Sequence, residues 1–354
     1  MDISTKYNFE IISKLNSEGV NSNLYIIKDL QLDKILILKR IDKNKIKDKE
    51  KYFEESKKIS KLDHPNIINI ESTTYDDKYV YMTMPYYKNG SLQKMIELKN
   101  LSLREIIKYS LDFMSAIYHI HSQSIVHCDI KPSNILIDDK ENAIITDFGT
   151  SLYLNKHGNS KLKNVYYKHI APEQCTNSTI TKKIDIYQIG TTLYRMCNGD
   201  YEYNRQAKKY KELNSLKIAC ANGRFPVRKK YMPHIPREMI KIIEKCININ
   251  PYDRYCSVLD IMNDIAKIES NLDWNYIKES DDRFIWLFSD KYNYEQIVLY
   301  KIKQGWVVVD LDGKETIVDT KSKGYRVVRS IIKVYEQEKN LTFKSDQSKA
   351  KKYY

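Results

Sequence analysis

Between residues 124 and 149, three apolar runs of strand length alternate with polar residues at short fixed offsets. The run IVH leads into Asp129, and Lys131 and Asn134 follow within five residues. The runs ILI and AII then bracket a turn, and the second run leads to Asp147. Because short strands joined by tight turns fold back on one another, this pattern predicts that two carboxylates, an amide and an ammonium group meet at one edge of the fold.

Local patterning divides the rest of the chain. Residues 7–41 alternate short apolar and polar runs, which predicts three antiparallel strands, and residues 49–62 change to helical spacing. Two further strand patterns precede the Asn89-Gly90 turn, and the chain is then mainly helical to about residue 270. With 354 residues, 42% of them hydrophobic, we expect a large domain with a smaller companion.

A separate β-rich domain is predicted after residue 270. Four apolar runs, RFIWLFS, QIVLYKI, GWVVVDL and ETIVDT, have strand character, and Asp312-Gly313 is a hairpin signal between the last two. A helix is expected around Tyr325 to Glu338, followed by a frayed basic tail at residues 343–354.

The net charge and the positions of cysteine and histidine limit the functions that this chain could have. The excess of 59 Lys and Arg over 46 Asp and Glu gives +13, which leaves a nucleic-acid partner open. The basic residues are not interleaved with aromatic residues in one segment, so we interpret the charge as solvated surface. None of the six cysteines forms a C-x-x-C pair. The histidines show no metal-ligand spacing, and five of them are interpreted as caps, turns and surface residues: His64, His119, His121, His157 and His234.

The N-terminal residues do not pair a basic region with an apolar one, and no apolar run approaches ~18 residues. We therefore expect a cytoplasmic protein with no membrane span and with reduced, mostly buried thiols.

The polar residues between 129 and 147 suit in-line phosphoryl transfer. This reaction needs a carboxylate that orients the attacking hydroxyl and accepts its proton, metal ligands on the phosphates, and a cation on the transferred group. Asp129 suits the first role, Asn134 and Asp147 are candidate metal ligands, and Lys131 is the candidate cation.

Several motifs resemble those of the eukaryotic-type protein kinases over about residues 7–268. The sequence H-C-D-I-K-P-S-N resembles the catalytic loop, D-F-G the metal-binding turn, and A-P-E at Ala171–Glu173 the end of the activation segment. Asp185 resembles the buried aspartate beneath the catalytic loop, and Arg254 the arginine that pairs with Glu173.

This resemblance implies an α+β, bilobal fold plus the small C-terminal β-rich domain. The small lobe is an antiparallel sheet with one helix, and the larger lobe is mainly helical. The expected divisions are 1–87 for the small lobe and hinge, 88–270 for the large lobe, 271–342 for the accessory domain and 343–354 for the tail.

Lys39 resembles the strand lysine that grips the nucleotide phosphates, with Glu55 as its expected partner and Glu54 as the alternative. Ile59 is then expected to stack on Phe148, with His127 beneath. The family also implies ATP and Mg²⁺, with Mn²⁺ as an alternative ion, and a nucleotide site that would include Ser17, Gly19, Leu24, Ile37, Met84, Pro85, Tyr87, Ser91 and Leu136.

Several positions depart from the family pattern. The phosphate loop keeps only Gly19 of three glycines, and Ile37 is bulkier than the usual alanine. Cys128 replaces the arginine of H-R-D, so activity is expected not to depend on phosphorylation of the activation loop, whose candidate sites are Ser151, Ser160, Tyr166 and Tyr167. Tyr166 stands where a threonine is usual and His169 where a tyrosine is usual, but Lys131 favours the Ser/Thr type.

We therefore expect a Ser/Thr protein kinase that acts on protein substrates. A pseudokinase scaffold with weak or no nucleotide turnover is the alternative, because the phosphate loop is degraded. A small-molecule phosphotransferase shares the loop and metal aspartate but would lack A-P-E and the partners Asp185 and Arg254. The sequence leaves the oligomeric state and the role of the C-terminal domain open.

Overall fold

The small lobe of the computed structural model is a five-stranded antiparallel sheet in the order β1-β2-β3-β5-β4. The structure describes residues 7–15, 22–45, 53–160, 169–176, 179–289 and 294–350, the last eleven of these by their backbone alone. The lobe's elements are β1 Phe9–Leu15, β2 Ser22–Asp29, β3 Lys34–Asp42, α1 Glu54–Ile59, β4 Ser72–Tyr75 and β5 Tyr79–Pro85. Alternate side chains of β2, Tyr25, Ile27 and Asp29, are buried, as a half-buried strand requires.

The large lobe is built on α3, which is buried along one face and begins with a capping box between Ser102 and Glu105. Its helices are α2 Leu92–Leu98, α3 Leu103–Ser122, α4 Lys183–Asn198, α5 Asp200–Ala207, α6 Leu213–Ala221, α7 Arg237–Cys246 and α8 Val258–Ile265. Four short strands, β6 Ile125–Val126, β7 Ile135–Ile137, β8 Ala143–Ile145 and β9 Leu152–Tyr153, form two antiparallel pairs, β6 with β9 and β7 with β8. These pairs fold residues 124–149 back on themselves.

Close packing of α4 against α7 depends on a missing side chain. A Cβ atom at Gly190 would lie 2.5 Å from the Cβ of Cys246, closer than nonbonded carbons approach. Glycine at this position therefore allows α4 to lie against α7, and α4 carries the residues that support the catalytic loop from beneath.

The C-terminal domain is a five-stranded antiparallel meander covered by one helix. Its elements are β10 Trp274–Lys278, β11 Arg283–Ser289, β12 Tyr294–Ile302, β13 Gly305–Val309, β14 Glu315–Val318 and α9 Lys321–Ala350. The expected Asp312-Gly313 turn joins β13 to β14, with Gly313 at a φ of 79°. The α+β architecture of two lobes plus a β-rich domain is confirmed.

Two elements of this domain differ from expectation. Strand β10 was not predicted from the sequence. Its segment, WNYIK, is short, and only Trp274 and Tyr276 in it are buried. Helix α9 begins before Tyr325 and continues to Ala350, through most of the segment expected as a frayed tail at 343–354. After Gly324 the sequence to Ala350 contains neither Gly nor Pro to stop a helix.

Polar contacts join the C-terminal domain to the large lobe. Arg104 on α3 donates to both oxygens of Asp273, at 2.7 and 3.0 Å. Arg329 on α9 donates to the backbone carbonyls of residues 231–233 at 3.0–3.3 Å. His234 is buried at this junction rather than at the surface, and burial together with the charge of Arg329 lowers its pKa to about 3. The junction is therefore a packed interface with a neutral imidazole inside it.

Candidate active site

The β6 strand and a short 3-10 turn at Pro132–Asn134 place Asp129 at the centre of the site. Its Oδ2 accepts hydrogen bonds from the Asn134 amide at 2.8 Å and from the Lys131 ammonium at 2.9 Å. Its Oδ1 is buried and accepts no hydrogen bond from the described residues. Burial raises the pKa of Asp129 above its ordinary value, against the opposing effect of Lys131. One carboxylate oxygen is thus fixed, and the other is left to an incoming donor.

Asp185 at the start of α4 holds the catalytic loop from beneath. Its carboxylate accepts the backbone N–H groups of His127 at 2.8 Å and Cys128 at 2.9 Å, and it contacts the His121 ring at 2.7 Å. Cys128 has a φ of 67°, so these bonds stabilise a left-handed turn just before Asp129. His121 belongs to this buried network, in contrast to its interpretation from sequence; its signal was its place on the buried face of α3.

Lys39 on β3 joins three parts of the fold. Its ammonium donates to both oxygens of Glu55 on α1, at 2.8 and 3.0 Å, and to Oδ1 of Asp147 at 3.1 Å. Glu55 is therefore the partner, whereas Glu54 forms an ion pair with Lys58. Burial lowers the pKa of Lys39, but the carboxylates outweigh it and raise that pKa above its ordinary value. The Lys39 charge in turn holds the pKa of Asp147 below its ordinary value, so this carboxylate is ionised.

The Asp147-Phe148-Gly149 turn points its phenyl ring into the core. Phe148 is fully buried and meets the His127 ring edge to face at 4.9 Å. Ile59 is buried in the same hydrophobic cluster, and α1 contacts the turn that Phe148 begins. Asp147 adopts a φ of 63°, which turns its carboxylate toward Lys39 while Phe148 stays inside.

The expected adenine-site residues form pairs within each lobe. Ile37 pairs with Met84 across β3 and β5, and Leu24 pairs with Lys39 across β2 and β3. In the large lobe, Ser91 bridges to Leu136, and its hydroxyl caps α2 by accepting the N–H of Lys94. Pro85 ends β5, and Tyr87 follows it, half-buried. Ser17 and Gly19 lie outside the described residues.

Comparison with known proteins agrees with this geometry. The family model described as a protein kinase domain matches residues 10–265. The chain belongs to the protein kinase family. It is 31% identical over 265 residues to the serine/threonine-protein kinase PrkC of Bacillus subtilis, which covers 73% of this chain and 40% of that protein. It is 28% identical over 247 residues to an Aurora kinase of Eremothecium gossypii, which covers 69% of this chain and 65% of that kinase.

A third relative, the serine/threonine-protein kinase PknD of Chlamydia trachomatis, is 26% identical over 296 residues, which covers 72% of this chain and 30% of PknD. This kinase chain therefore spans less than half the length of its bacterial relatives. The comparisons support a protein kinase and not the pseudokinase alternative. Among the described residues, no helix of this kinase combines the length and the apolar character needed to cross a bilayer.

The end of the kinase's activation segment is fixed by a buried ion pair. Arg254 donates to both oxygens of Glu173 at 2.8 and 2.7 Å, as the resemblance implied, and its side chain is 0% exposed. The same guanidinium donates to the backbone carbonyls of Lys183, Asn248 and Ile249. Tyr166 and Tyr167 lie outside the described residues, and His169 is buried, in contact with Arg195 at 2.7 Å.

Lys58 is a structural cation that the sequence interpretation missed. It lies on α1, is buried, and donates to the backbone carbonyl of Ser151 at 2.8 Å, just after the Asp-Phe-Gly turn. Its ammonium also lies 5.7 Å from the centre of the Tyr153 ring. A buried lysine on a helix of alternating charges gives no signal of its own, because its contact partner is 93 residues away. Lys58 therefore places a fixed cation against the start of the activation segment. The catalytic loop itself offers no arginine to this segment, because Cys128 replaces the arginine of H-R-D.

Gln188 is a second missed residue, and it ties the catalytic loop to the activation segment. Its Oε1 accepts the N–H of Ile130 at 2.9 Å, and its Nε2 donates to the carbonyls of Cys128 at 2.8 Å and His169 at 3.4 Å. The backbone on both sides of Asp129 is therefore held by one side chain, which is 1% exposed.

Replacing this side chain with an apolar one of similar size, Gln188→Leu, is expected to lower the free energy of unfolding by about 1–3 kcal/mol, because the buried N–H of Ile130 loses its acceptor. It is also expected to lower kcat about tenfold or more with little change in the KM for ATP, because Asp129 shifts while the nucleotide site does not. Urea unfolding and steady-state kinetics measure the two effects. Gln93→Leu is the matched control, because the Gln93 amide on α2 donates to the Glu97 carboxylate in a contact open to solvent. Equal losses of stability and of kcat in both variants would contradict the positioning role of Gln188.

Proposed function

We propose that this chain transfers the γ-phosphoryl group of ATP to serine and threonine hydroxyls of protein substrates. The observation that carries the proposal is the simultaneous contact of Lys39 with Glu55 and Asp147. Strand β3, helix α1 and the Asp-Phe-Gly turn are aligned only when all three groups meet, and this alignment is a requirement for kinase catalysis. The relatives named as serine/threonine-protein kinases support the same activity.

Asp129 is proposed to orient the substrate hydroxyl and accept its proton at Oδ1. The contacts from Asn134 and Lys131 fix Oδ2, so rotation of the carboxylate is restricted and Oδ1 keeps one direction. Lys131, beside that carboxylate, is proposed to place its positive charge on the transferred group. Its position two residues after Asp129 also supports Ser/Thr hydroxyls as acceptors.

Asp147 and Asn134 are proposed to hold Mg²⁺, with Mn²⁺ as an alternative. The described residues contain no group of three His, Cys, Asp or Glu side chains that could hold a metal ion alone. Magnesium in phosphate-handling sites is usually bound by one or two protein ligands together with phosphate oxygens, and an ionised carboxylate plus an amide oxygen fits that donor set. When bound, the metal neutralises charge that develops on the phosphates.

The nucleotide is proposed to lie between the lobes. Lys39 would bind its phosphates, and the adenosine would contact Leu24, Ile37, Met84, Leu136 and Ser91, with the backbone of Pro85 and Tyr87 facing the adenine edge. The pairing of Ile37 with Met84 and of Ser91 with Leu136 supports this site. We also propose a reducing, cytoplasmic location, supported by six unpaired cysteines of which only Cys256 is exposed.

Incubation of the protein with γ-labelled ATP and Mg²⁺, alone and with a generic basic protein, tests the activity. We expect label on serine and threonine residues, located by mass spectrometry, and an unchanged initial rate after phosphatase pretreatment, because Cys128 offers no cation to a phosphorylated loop. No transfer above a metal-free blank would overturn the kinase proposal. Label confined to tyrosine would overturn the acceptor class, and a rate lost with phosphatase would overturn independence of loop phosphorylation.

A further inference from the structure

A basic cavity of about 300 Å³ lies at the junction of the large lobe and the C-terminal domain, away from the catalytic residues. Its size is at the lower end for a small-ligand site. One wall is a face of α7, the second is the loop before α7, and the third is Arg329 on α9. Its lining is Arg228, Lys229, Tyr231, Arg237, Ile240, Lys241, Glu244 and Arg329.

Two lining side chains carry buried polar atoms that nothing in the described protein satisfies. Nε and Nη2 of Arg228 and the hydroxyl of Tyr231 are enclosed and have no hydrogen-bond partner among the described residues. An unpaired buried donor is destabilising, more so when it is charged, so native proteins seldom leave several together. Both residues line the same cavity, but these atoms are themselves enclosed by protein, so they show a surplus of unpaired donors beside the cavity and are not its contact surface.

The charges around the cavity are unbalanced. Five of its side chains are cationic and one, Glu244, is anionic, and no ion pair joins Glu244 to these cations among the described residues. Burial and, to a smaller extent, the like charge of Arg237 lower the pKa of Arg329. Arg237 also occupies the first turn of α7, where a cation is unfavourable and no side chain caps the helix. An anion in the cavity would offset the surplus of positive charge and the unfavourable position of Arg237.

We propose that this cavity is a binding site for a phosphoryl group, carried either as inorganic phosphate or on a phosphorylated side chain. A phosphoryl group carries close to two negative charges and three strong acceptor oxygens, which matches several cationic side chains better than a carboxylate does. Arginine is the side chain that suits planar, bidentate contacts to such oxygens, and three of the five cations are arginines. The site would place a phosphate between the kinase lobe and its C-terminal domain.

Binding to the full chain at low ionic strength tests the site with three probes: inorganic phosphate, a phosphothreonine peptide and the same peptide without phosphate. The test variant is Arg237→Gln with Lys241→Gln, two exposed side chains that make no contact required by the fold. The matched control, Lys208→Gln with Lys209→Gln, removes the same charge from exposed positions outside the cavity. Thermal melting checks that both variants keep the fold.

Isothermal titration is expected to give saturable binding of a phosphorylated probe that weakens about tenfold or more in the test variant and stays within about twofold in the control. Equal affinity for inorganic phosphate and the phosphopeptide would assign the site to the free anion, and preference for the phosphopeptide would assign it to a phosphorylated side chain. No saturation of wild type by about 1 mM of either phosphorylated probe would overturn the proposal. Equal binding by the test variant, or equal binding of the unphosphorylated peptide, would also overturn it.

Discussion

Asp129→Asn is expected to lower kcat for phosphoryl transfer by about 10²–10⁴-fold while ATP binding is retained. The amide keeps the size of the side chain and an oxygen that can accept from Asn134 and Lys131. It loses the ability to take the proton of the substrate hydroxyl, which is the role proposed for the buried and unpartnered Oδ1. Initial rates with labelled ATP and nucleotide affinity by titration measure the two quantities separately.

Asp139→Asn is the matched control for this prediction. Asp139 lies in the same part of the chain but is exposed, with Lys88 at 3.7 Å as its ion-pair partner. Its substitution is expected to leave kcat within about twofold, because a surface ion pair contributes little. Similar rates in wild type and Asp129→Asn would contradict the role of Asp129 as the base.

Arg254→Met is expected to lower the free energy of unfolding by about 3–5 kcal/mol, the largest stability effect that we anticipate. The substitution removes the bidentate guanidinium from the Glu173 carboxylate. It also removes the donor to three backbone carbonyls, one at the start of α4 and two just after α7. Both charges are almost fully enclosed, with Arg254 at 0% and Glu173 at 12% exposure, so water cannot replace the lost contacts. Urea unfolding followed by circular dichroism measures the change.

A surface pair provides the comparison for Arg254. Arg283→Met breaks an ion pair with Glu279 in which both side chains are about half exposed, and it is expected to cost about 1 kcal/mol or less. Comparable losses in the two variants would show that enclosure does not determine the contribution of the Glu173 pair.

Most of the fold was predictable because strand and helix periodicities are local. The three strands at residues 7–41, the alternation in β2 and the Asp312-Gly313 hairpin follow from spacing and turn chemistry alone. Helix α9 was underestimated because its amphipathic pattern weakens toward the terminus while its helix-forming composition continues. Strand β10 is only five residues long, too short for periodicity to distinguish it from a loop.

The candidate site likewise contains some residues that local sequence predicts and others that it does not. Asp129, Asn134 and Asp147 follow from offsets within one short segment, and Glu55 as the partner of Lys39 follows from the family resemblance. Gln188 and Lys58 acquire their roles only through contacts with backbone carbonyls 60 and 93 residues away. No local pattern encodes such contacts. The basic cavity likewise combines side chains from α7 and α9 and could be found only after the chain had folded.

The bond from Lys58 to the carbonyl of Ser151 has a consequence for how this kinase moves. Its donor lies on α1 and its acceptor in the segment that follows Asp147, so movement of α1 away from β3 and from that segment would break this bond as well as the Lys39–Glu55 pair. The position of α1 and the conformation of the early activation segment are therefore expected to change together. We therefore expect an on-off equilibrium that is set by the position of one helix rather than by the addition of a charge to the loop.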